Sequence, residues 1–322
     1  MRRTVFPRLA FAAAAVTYLL IVMGGIVRVT GSGLGCGLKD DWPLCSGRLL
    51  PPLQANAVIE FTHRWIAAVA TILVLALAIA AWTSQRRNRR VLVATTVAAA
   101  LFIVQVALGA LTVKYRLPGG IVLMHLANAL LLLGVLSYIA VASRWAASSA
   151  PSRARGGRST RLTTLAAGAT YLLALSGALV VETGSSAGCA GWPLCGGGFR
   201  LPSSTQDAVN VAHRFVAGAV VLLILGIMVS VLRNERESGA IRRWAAGVCA
   251  VAALQVLAGA LVVELRLPPA AQSVHLALAA ALWTSVLIVA VLDRGASTVS
   301  SAERAESPHL ERRATTPARV AS

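Results

Sequence analysis

Eight stretches of this sequence are apolar on every side for about the length that crosses a bilayer: approximately 9–29, 58–82, 91–113, 120–143, 162–182, 208–232, 244–264 and 272–292. A helix rises about 1.5 Å per residue, so segments of this size match a hydrocarbon layer of roughly 30 Å. Hydrocarbon offers the backbone no water, so only helices and closed barrels cross it, and a barrel would show short alternating segments instead. The chain is therefore expected to be an all-α integral membrane protein with eight transmembrane helices. The first segment is long, lacks a convincing cleavage site and is followed by seven more of its kind, so it is not read as a cleaved signal peptide. Only 13% of the residues are charged against 57% hydrophobic, which excludes an ordinary soluble domain.

The formal charge of +18 would suit a nucleic-acid binder, but the basic residues sit in clusters between apolar stretches, so no nucleic-acid partner is expected. Their placement reports topology instead. Arg2, Arg3 and Arg8 precede the first segment; Arg86, Arg87, Arg89 and Arg90 follow the second; five Arg lie in 144–161; Arg233, Arg236, Arg242 and Arg243 lie between the sixth and seventh. All belong to one side, which places both termini in the cytoplasm. The opposite side holds chiefly Lys39, Arg48, Lys114, Arg116, Arg200 and Arg266.

The sequence also repeats itself. QVALGALTVKYRLPGGIVLMHL at 105–126 aligns without a gap to QVLAGALVVELRLPPAAQSVHL at 255–276, and the same offset of 150 sets WPLC 42–45 on WPLC 192–195 and HRW 63–65 on HRF 213–215. Four crossings separate the copies, so they are parallel repeats. The expected organisation is an N-terminal four-helix unit over 1–142, a cytoplasmic linker over 143–161, a C-terminal four-helix unit over 162–292 and a disordered, cytoplasmic tail over 293–322 that contains His309.

Four histidines occupy equivalent places in the repeat: His63 and His213 near the starts of the second and sixth helices, His125 and His275 near the starts of the fourth and eighth. An imidazole without a partner in hydrocarbon is costly. One ring from each of two facing helices suits a haem iron, so a bis-histidine haem site in each half is the economical reading. Packing histidines bonded to nearby backbone or hydroxyls are the plain alternative, and no HxH, HxxxH or Cys cluster completes a zinc or copper set. Arg64 and Arg214 follow His63 and His213, where they would pair with haem propionates or snorkel to headgroups. Glu60 stands one turn before His63, whereas its counterpart is Asn210. That difference suggests a carboxylate used for chemistry in the first half, or else a polar contact at the helix start. Cys36 and Cys45, and Cys189 and Cys195, fall in two outer loops where disulfides persist. For the second pair a structural disulfide is expected; the first pair is open to a redox or substrate-handling role as well. Cys249 lies alone in the seventh helix as a packing residue.

GSGLGC 31–36, WPLC 42–45, EFTHR 60–64, MHL 124–126, the second WPLC, the second HR and VHL 274–276 together resemble haem A synthase of the CtaA type over about residues 8–292. The resemblance implies two pseudosymmetric four-helix bundles in a bacterial cytoplasmic membrane, with the haem sites toward the outer face. It implies oxidation of the C8 methyl of haem O to a formyl group, giving haem A for terminal oxidases. By position, His63 and His125 would hold the substrate haem with Glu60 as the catalytic carboxylate, and His213 and His275 would ligate a resident haem b. Cys36 and Cys45 match a loop pair for which a part in activity or haem transfer is proposed. The implied partners are a haem O synthase as substrate donor, an electron donor, a terminal oxidase assembly as product acceptor, and the lipid bilayer. Two other functions stay open: a bis-histidine cytochrome b taking electrons from quinol, and a membrane thiol-disulfide oxidase.

Overall fold

The computed structural model describes residues 5–37, 45–145, 157–197, 202–234 and 239–314. The chain is all-α, with helices α1 (Val5–Val29), α2 (Ala55–Ser84), α3 (Arg89–Lys114), α4 (Gly119–Trp145), α5 (Gly157–Glu182), α6 (Thr205–Arg233), α7 (Gly239–Glu264) and α8 (Pro269–Ala314). All eight are long and apolar enough to cross a membrane. Within α6 only 17% of the most apolar 18-residue stretch is buried in the chain, so the rest of that surface needs lipid beside it, and the protein is a multi-pass membrane protein. Most helices overrun the apolar segments by a turn or less at their ends, where polar residues meet the headgroup layer.

Polar signals close the helices where the apolar runs stop. Ser204 accepts the Asp207 N–H at 3.1 Å ahead of α6, and Asn88 accepts the Val91 N–H at 3.3 Å ahead of α3. The ends of α3 and α7 use the same turn twice. Arg116 and Leu117 have φ of 58° and 62°, Arg266 and Leu267 have 60° and 64°, and the Leu117 and Leu267 N–H groups reach back to the Thr112 and Val262 carbonyls at 2.7 and 2.8 Å. Two consecutive left-handed residues without glycine cost on the order of 1 kcal/mol each, and the prolines at 118 and 268 then prevent the helix from resuming.

In the first half α1 packs on α2 and α4, and α3 packs on α2 and α4; in the second, α5 packs on α6 and α8, and α7 packs on α6 and α8. The halves meet where α8 packs on α1 and α4, and α4 packs on α5. There the core is continuous, with Leu130, Leu133 and Leu136 of α4 and Leu282, Val286 and Val289 of α8 all buried. Lipid supplies no hydrophobic drive between such helices, so close fit and cross-helix hydrogen bonds hold them. Tyr18 of α1 donates to the Ala277 carbonyl of α8 at 3.1 Å, and Tyr171 of α5 donates to the Ala127 carbonyl of α4 at 3.2 Å. Trp283 adds a one-sided contact: its indole lies over Gly134 and its Nε1–H donates to the Leu130 carbonyl at 3.1 Å. Arg28 of α1 pairs with Glu182 of α5 at 3.1 Å.

The expected linker at 143–161 shortens, because α4 continues to Trp145 and α5 starts at Gly157; residues 146–156 lie outside the described residues, as do Arg2, Arg3, Lys39, residues 42–44 of the first WPLC, Arg200, Arg236 and residues 315–322. Helix α8 runs on to Ala314, into the stretch expected as the tail.

A Cβ on Gly134 would stand 2.8 Å from Trp283 Cζ2 and 3.2 Å from Leu287 Cδ2. Gly134→Leu should therefore destabilise the detergent-solubilised protein by about 1–3 kcal/mol through overpacking. Thermal unfolding checks this, with Trp283→Leu expected to recover part of the loss in the Gly134→Leu background.

Candidate functional site

The C-terminal ends of α1, α3, α5 and α7 and the N-terminal ends of α2, α4, α6 and α8 gather at one end of the molecule, the loop end. Here Cys36–Cys45 and Cys189–Cys195 are both disulfides, with Cα separations of 4.6 and 4.8 Å. Each loop is pressed onto the first turn of the next helix through a glycine. A Cβ on Gly35 would overlap the Asn56 backbone, and one on Gly188 would sit 3.0 Å from the Gln206 carbonyl carbon.

That close approach positions Glu60. Its carboxylate is buried; Oε2 accepts the Cys36 N–H at 2.8 Å, and Oε1 accepts Arg64 Nε–H at 3.1 Å and an Nη2–H of the same guanidinium. Asn210 does the corresponding work in the second half, where its Nδ2 donates to the Ser185 carbonyl at 2.8 Å and its Oδ1 accepts Arg214 Nε–H at 2.9 Å. The first loop offers an N–H and so needs an acceptor; the second offers a carbonyl and so needs a donor, which an amide has and a carboxylate lacks. The Glu60/Asn210 difference thus has a local cause that requires no chemistry. Arg214 also donates to the Gly191, Pro193 and Cys189 carbonyls at 2.6, 3.2 and 2.7 Å, stapling the second disulfide loop to α6. Arg64 pairs with Glu60 on its own helix, and Arg214 holds loop carbonyls, in place of the solvent or headgroups that snorkelling would provide.

The four histidines lie at matched depths: His63 and His213 are each the ninth residue of α2 and α6, and His125 and His275 the seventh of α4 and α8. His63 and His125 stand on helices that both pack on α1 and α3, and His213 and His275 on helices that both pack on α5 and α7. Each ring edge rests against a glycine of the preceding helix. A Cβ would come within 3.4 Å of His63 at Gly24, 3.2 Å of His125 at Gly109, 3.1 Å of His213 at Gly177 and 2.9 Å of His275 at Gly259. All four rings are only partly covered by the chain. Among the described residues no three His, Cys, Asp or Glu side chains converge as a metal cluster, so the histidines work as pairs.

Polar residues that the sequence reading did not single out hold some of these rings. Ser176 Oγ lies 2.8 Å from His213 Nδ1, and Gln105 Nε2 lies 3.2 Å from both His125 nitrogens, its own Oε1 accepting Asn128 Nδ2–H at 2.7 Å. Gln255 Nε2 lies 3.4 Å from His275 Nε2. The signal for the glutamines was in the sequence: Gln105 and Gln255 are polar residues inside apolar segments at matched repeat positions. The signal for the glycines of α1 and α5 was a second register, since GSGLGC 31–36 falls on GSSAGC 184–189 at an offset of 153, which also sets Gly24 on Gly177.

Comparison with known proteins gives a consistent result. Residues 7–287 match the COX15-CtaA family, described as cytochrome oxidase assembly protein. The chain is 32% identical over 303 residues to heme A synthase of Symbiobacterium thermophilum, covering 90% of this chain and 97% of that protein. It is 29% identical over 286 residues to heme A synthase of Geobacillus kaustophilus, covering 86% and 87%. It is also 31% identical over 332 residues to a protein of Thermus thermophilus named protoheme IX farnesyltransferase, covering 96% of this chain and 52% of that protein.

The stapling by Arg214 is open to a direct check. Arg214→Ala should lower stability by about 2 kcal/mol, within the range for hydrogen bonds from a charged donor, and expose the segment between Cys189 and Cys195 to protease. Arg214→Lys should recover little, because one ammonium does not span the carbonyls that the planar guanidinium reaches. Thermal unfolding in detergent and limited proteolysis measure the two effects.

Proposed function

This chain belongs to the COX15-CtaA family of cytochrome oxidase assembly proteins, and from that premise we propose that it is a haem A synthase, converting the C8 methyl of haem O to a formyl group in two oxidations. The supporting observation is the fourfold motif of imidazole against glycine, arranged as two pairs at one depth of the membrane. Glycine at these positions keeps the ring edges clear of a Cβ, and His63 and His275 each keep a buried Nδ1 with no hydrogen-bond partner among the described residues. These features fit an iron porphyrin between the members of each pair.

In this reading the protein is two pseudosymmetric four-helix bundles, with the loop end facing out of the bacterial cytoplasmic membrane and both termini in the cytoplasm, as the Arg clusters require. His63 and His125 hold the substrate, haem O, in the N-terminal half, and haem A leaves from there. His213 and His275 hold a resident haem b, which supplies one-electron redox chemistry when bound. Each of the two steps replaces a C–H of the substrate methyl by C–O and passes two electrons from the substrate to an external oxidant, with the oxygen atom taken from water or dioxygen; the products are an alcohol and then a hydrated aldehyde that loses water.

The protein's own part is orientation and proton handling. Glu60 is fixed at both oxygens, so its carboxylate stands at a set place one turn from His63, where it accepts a proton released as the substrate methyl is oxidised. Arg64, beside Glu60, and Arg214, beside the loop it holds, offer charge to propionates. The Cys36–Cys45 disulfide keeps the Cys36 N–H on Glu60. Substrate comes from a haem O synthase, a partnership supported by the Thermus thermophilus protein, in which a segment similar to this whole chain makes up about half of a protein named as a protohaem farnesylating enzyme. Product passes to a terminal oxidase assembly.

The test is pigment extraction from protein purified out of membranes supplied with haem O, which should yield haem A, the intermediate alcohol and haem B. Haem B alone would support an electron-transferring bis-histidine cytochrome instead. Glu60→Gln should keep haem B in the C-terminal half yet lower haem A by at least about tenfold, the lower side of what a positioned acid–base group contributes. Undiminished haem A from that variant would remove Glu60 from the chemistry and leave it the loop clamp described above.

A further inference from the structure

A histidine that binds metal through one ring nitrogen is ordinarily held by a hydrogen bond from the other. His213 has such a hold. The Ser176 hydroxyl donates to the Leu173 carbonyl at 2.8 Å, so at the 2.8 Å contact His213 Nδ1–H is the donor, and its Nε2 lone pair is left for iron. In the 153 register Met23 takes the place of Ser176, and His63 Nδ1 is buried with no hydrogen-bond partner among the described residues.

On the facing rings the order reverses. Asn128 Nδ2 donates to the Leu101 carbonyl at 2.9 Å and to Gln105 Oε1 at 2.7 Å, which sets Gln105 with its Nε2 toward His125. Lying 3.2 Å from both ring nitrogens, that amide sits over the ring rather than in line with either nitrogen, so it restrains the imidazole without taking its iron-binding lone pair. Leu278 replaces Asn128 in the second half. There Gln255 has no such anchor: its Oε1 and His275 Nδ1 are both buried without hydrogen-bond partners among the described residues, and its Nε2 reaches His275 Nε2 only at 3.4 Å.

Resting on the haem reading above, we propose that each pocket has one fixed and one releasable imidazole, and that the two pockets are wired oppositely: His125 is fixed and His63 releasable in the N-terminal half, His213 fixed and His275 releasable in the C-terminal half. Ser176, Gln105 and Asn128 are the positioning residues. In the N-terminal pocket the coordination position that opens is then on the α2 side, one turn from Glu60 and under the first disulfide loop. Substrate exchange and access of small ligands to iron are directed to that face.

The test uses the purified full chain loaded with haem B, with haem release to excess apomyoglobin followed by absorbance. The wild type should show two phases, one for each pocket. Ser176→Ala should speed one phase about 10- to 100-fold, the usual cost of losing such a hold, and Ser176→Thr should restore it. Asn128→Leu should speed the other phase, and Met23→Ser, which supplies His63 with a hydroxyl, should slow that same phase. In the oxidised protein Ser176→Ala and Asn128→Leu should each shift the low-spin electron paramagnetic resonance signal of one haem only. Two haems bound, with release rates and spectra indifferent to all these substitutions, would overturn the wiring while sparing the haem reading. A wild-type chain that takes up no haem would overturn both.

Discussion

A polar ring placed in hydrocarbon has to be given something to bind, and in this protein the four imidazoles set that demand about ten ångströms in from the helix starts. Much of the loop-end architecture answers it. Glycines on α1, α3, α5 and α7 let the rings lie flush against the neighbouring helix, and polar side chains restrain His213 and His125. What is left unanswered is specific: His63 and His275 each keep one buried nitrogen without a protein partner among the described residues. The same two-helix arrangement thus yields rings with different hydrogen-bond partners, set by single polar residues outside the ring pairs themselves.

The loops above the rings obey the same rule of matched donors and acceptors. A disulfide-closed loop pressed on a helix start exposes either an N–H or a carbonyl, and the residue beneath it must be complementary: Glu60 under Cys36, Asn210 under Ser185. A carboxylate can occupy the first position because Arg64 neutralises it and the amide satisfies its second oxygen. The fold therefore keeps an ionisable group at membrane depth in the first half at little cost, and the proposed chemistry draws on a group already held in place for structural reasons.

The eight helices were legible in the sequence because hydropathy is a long-range signal that tolerates drift. The finer parts of the site were hidden by a three-residue shift. Cys36 and Cys45 are nine residues apart and Cys189 and Cys195 six, so the first helix of each half aligns in a different register from the rest, and the Ser176–Met23 contrast appears only in that register. The Glu60 contacts were illegible for another reason: they depend on a loop backbone folding back across Gly35, a proximity that no periodicity records.

The two tyrosine bonds between the halves are each other's image: Tyr18 to Ala277 and Tyr171 to Ala127. Such reciprocity is what an isologous dimer interface displays, here enclosed within a single polypeptide. Joining two such subunits releases a constraint that a true homodimer never escapes, because there a mutation is always made twice. In the fused chain Trp283 can fill the space over Gly134 without a matching indole opposite, and Arg28 can meet Glu182 without a second pair. Each half is thereby free to diverge at single positions without breaking the contact that joins them.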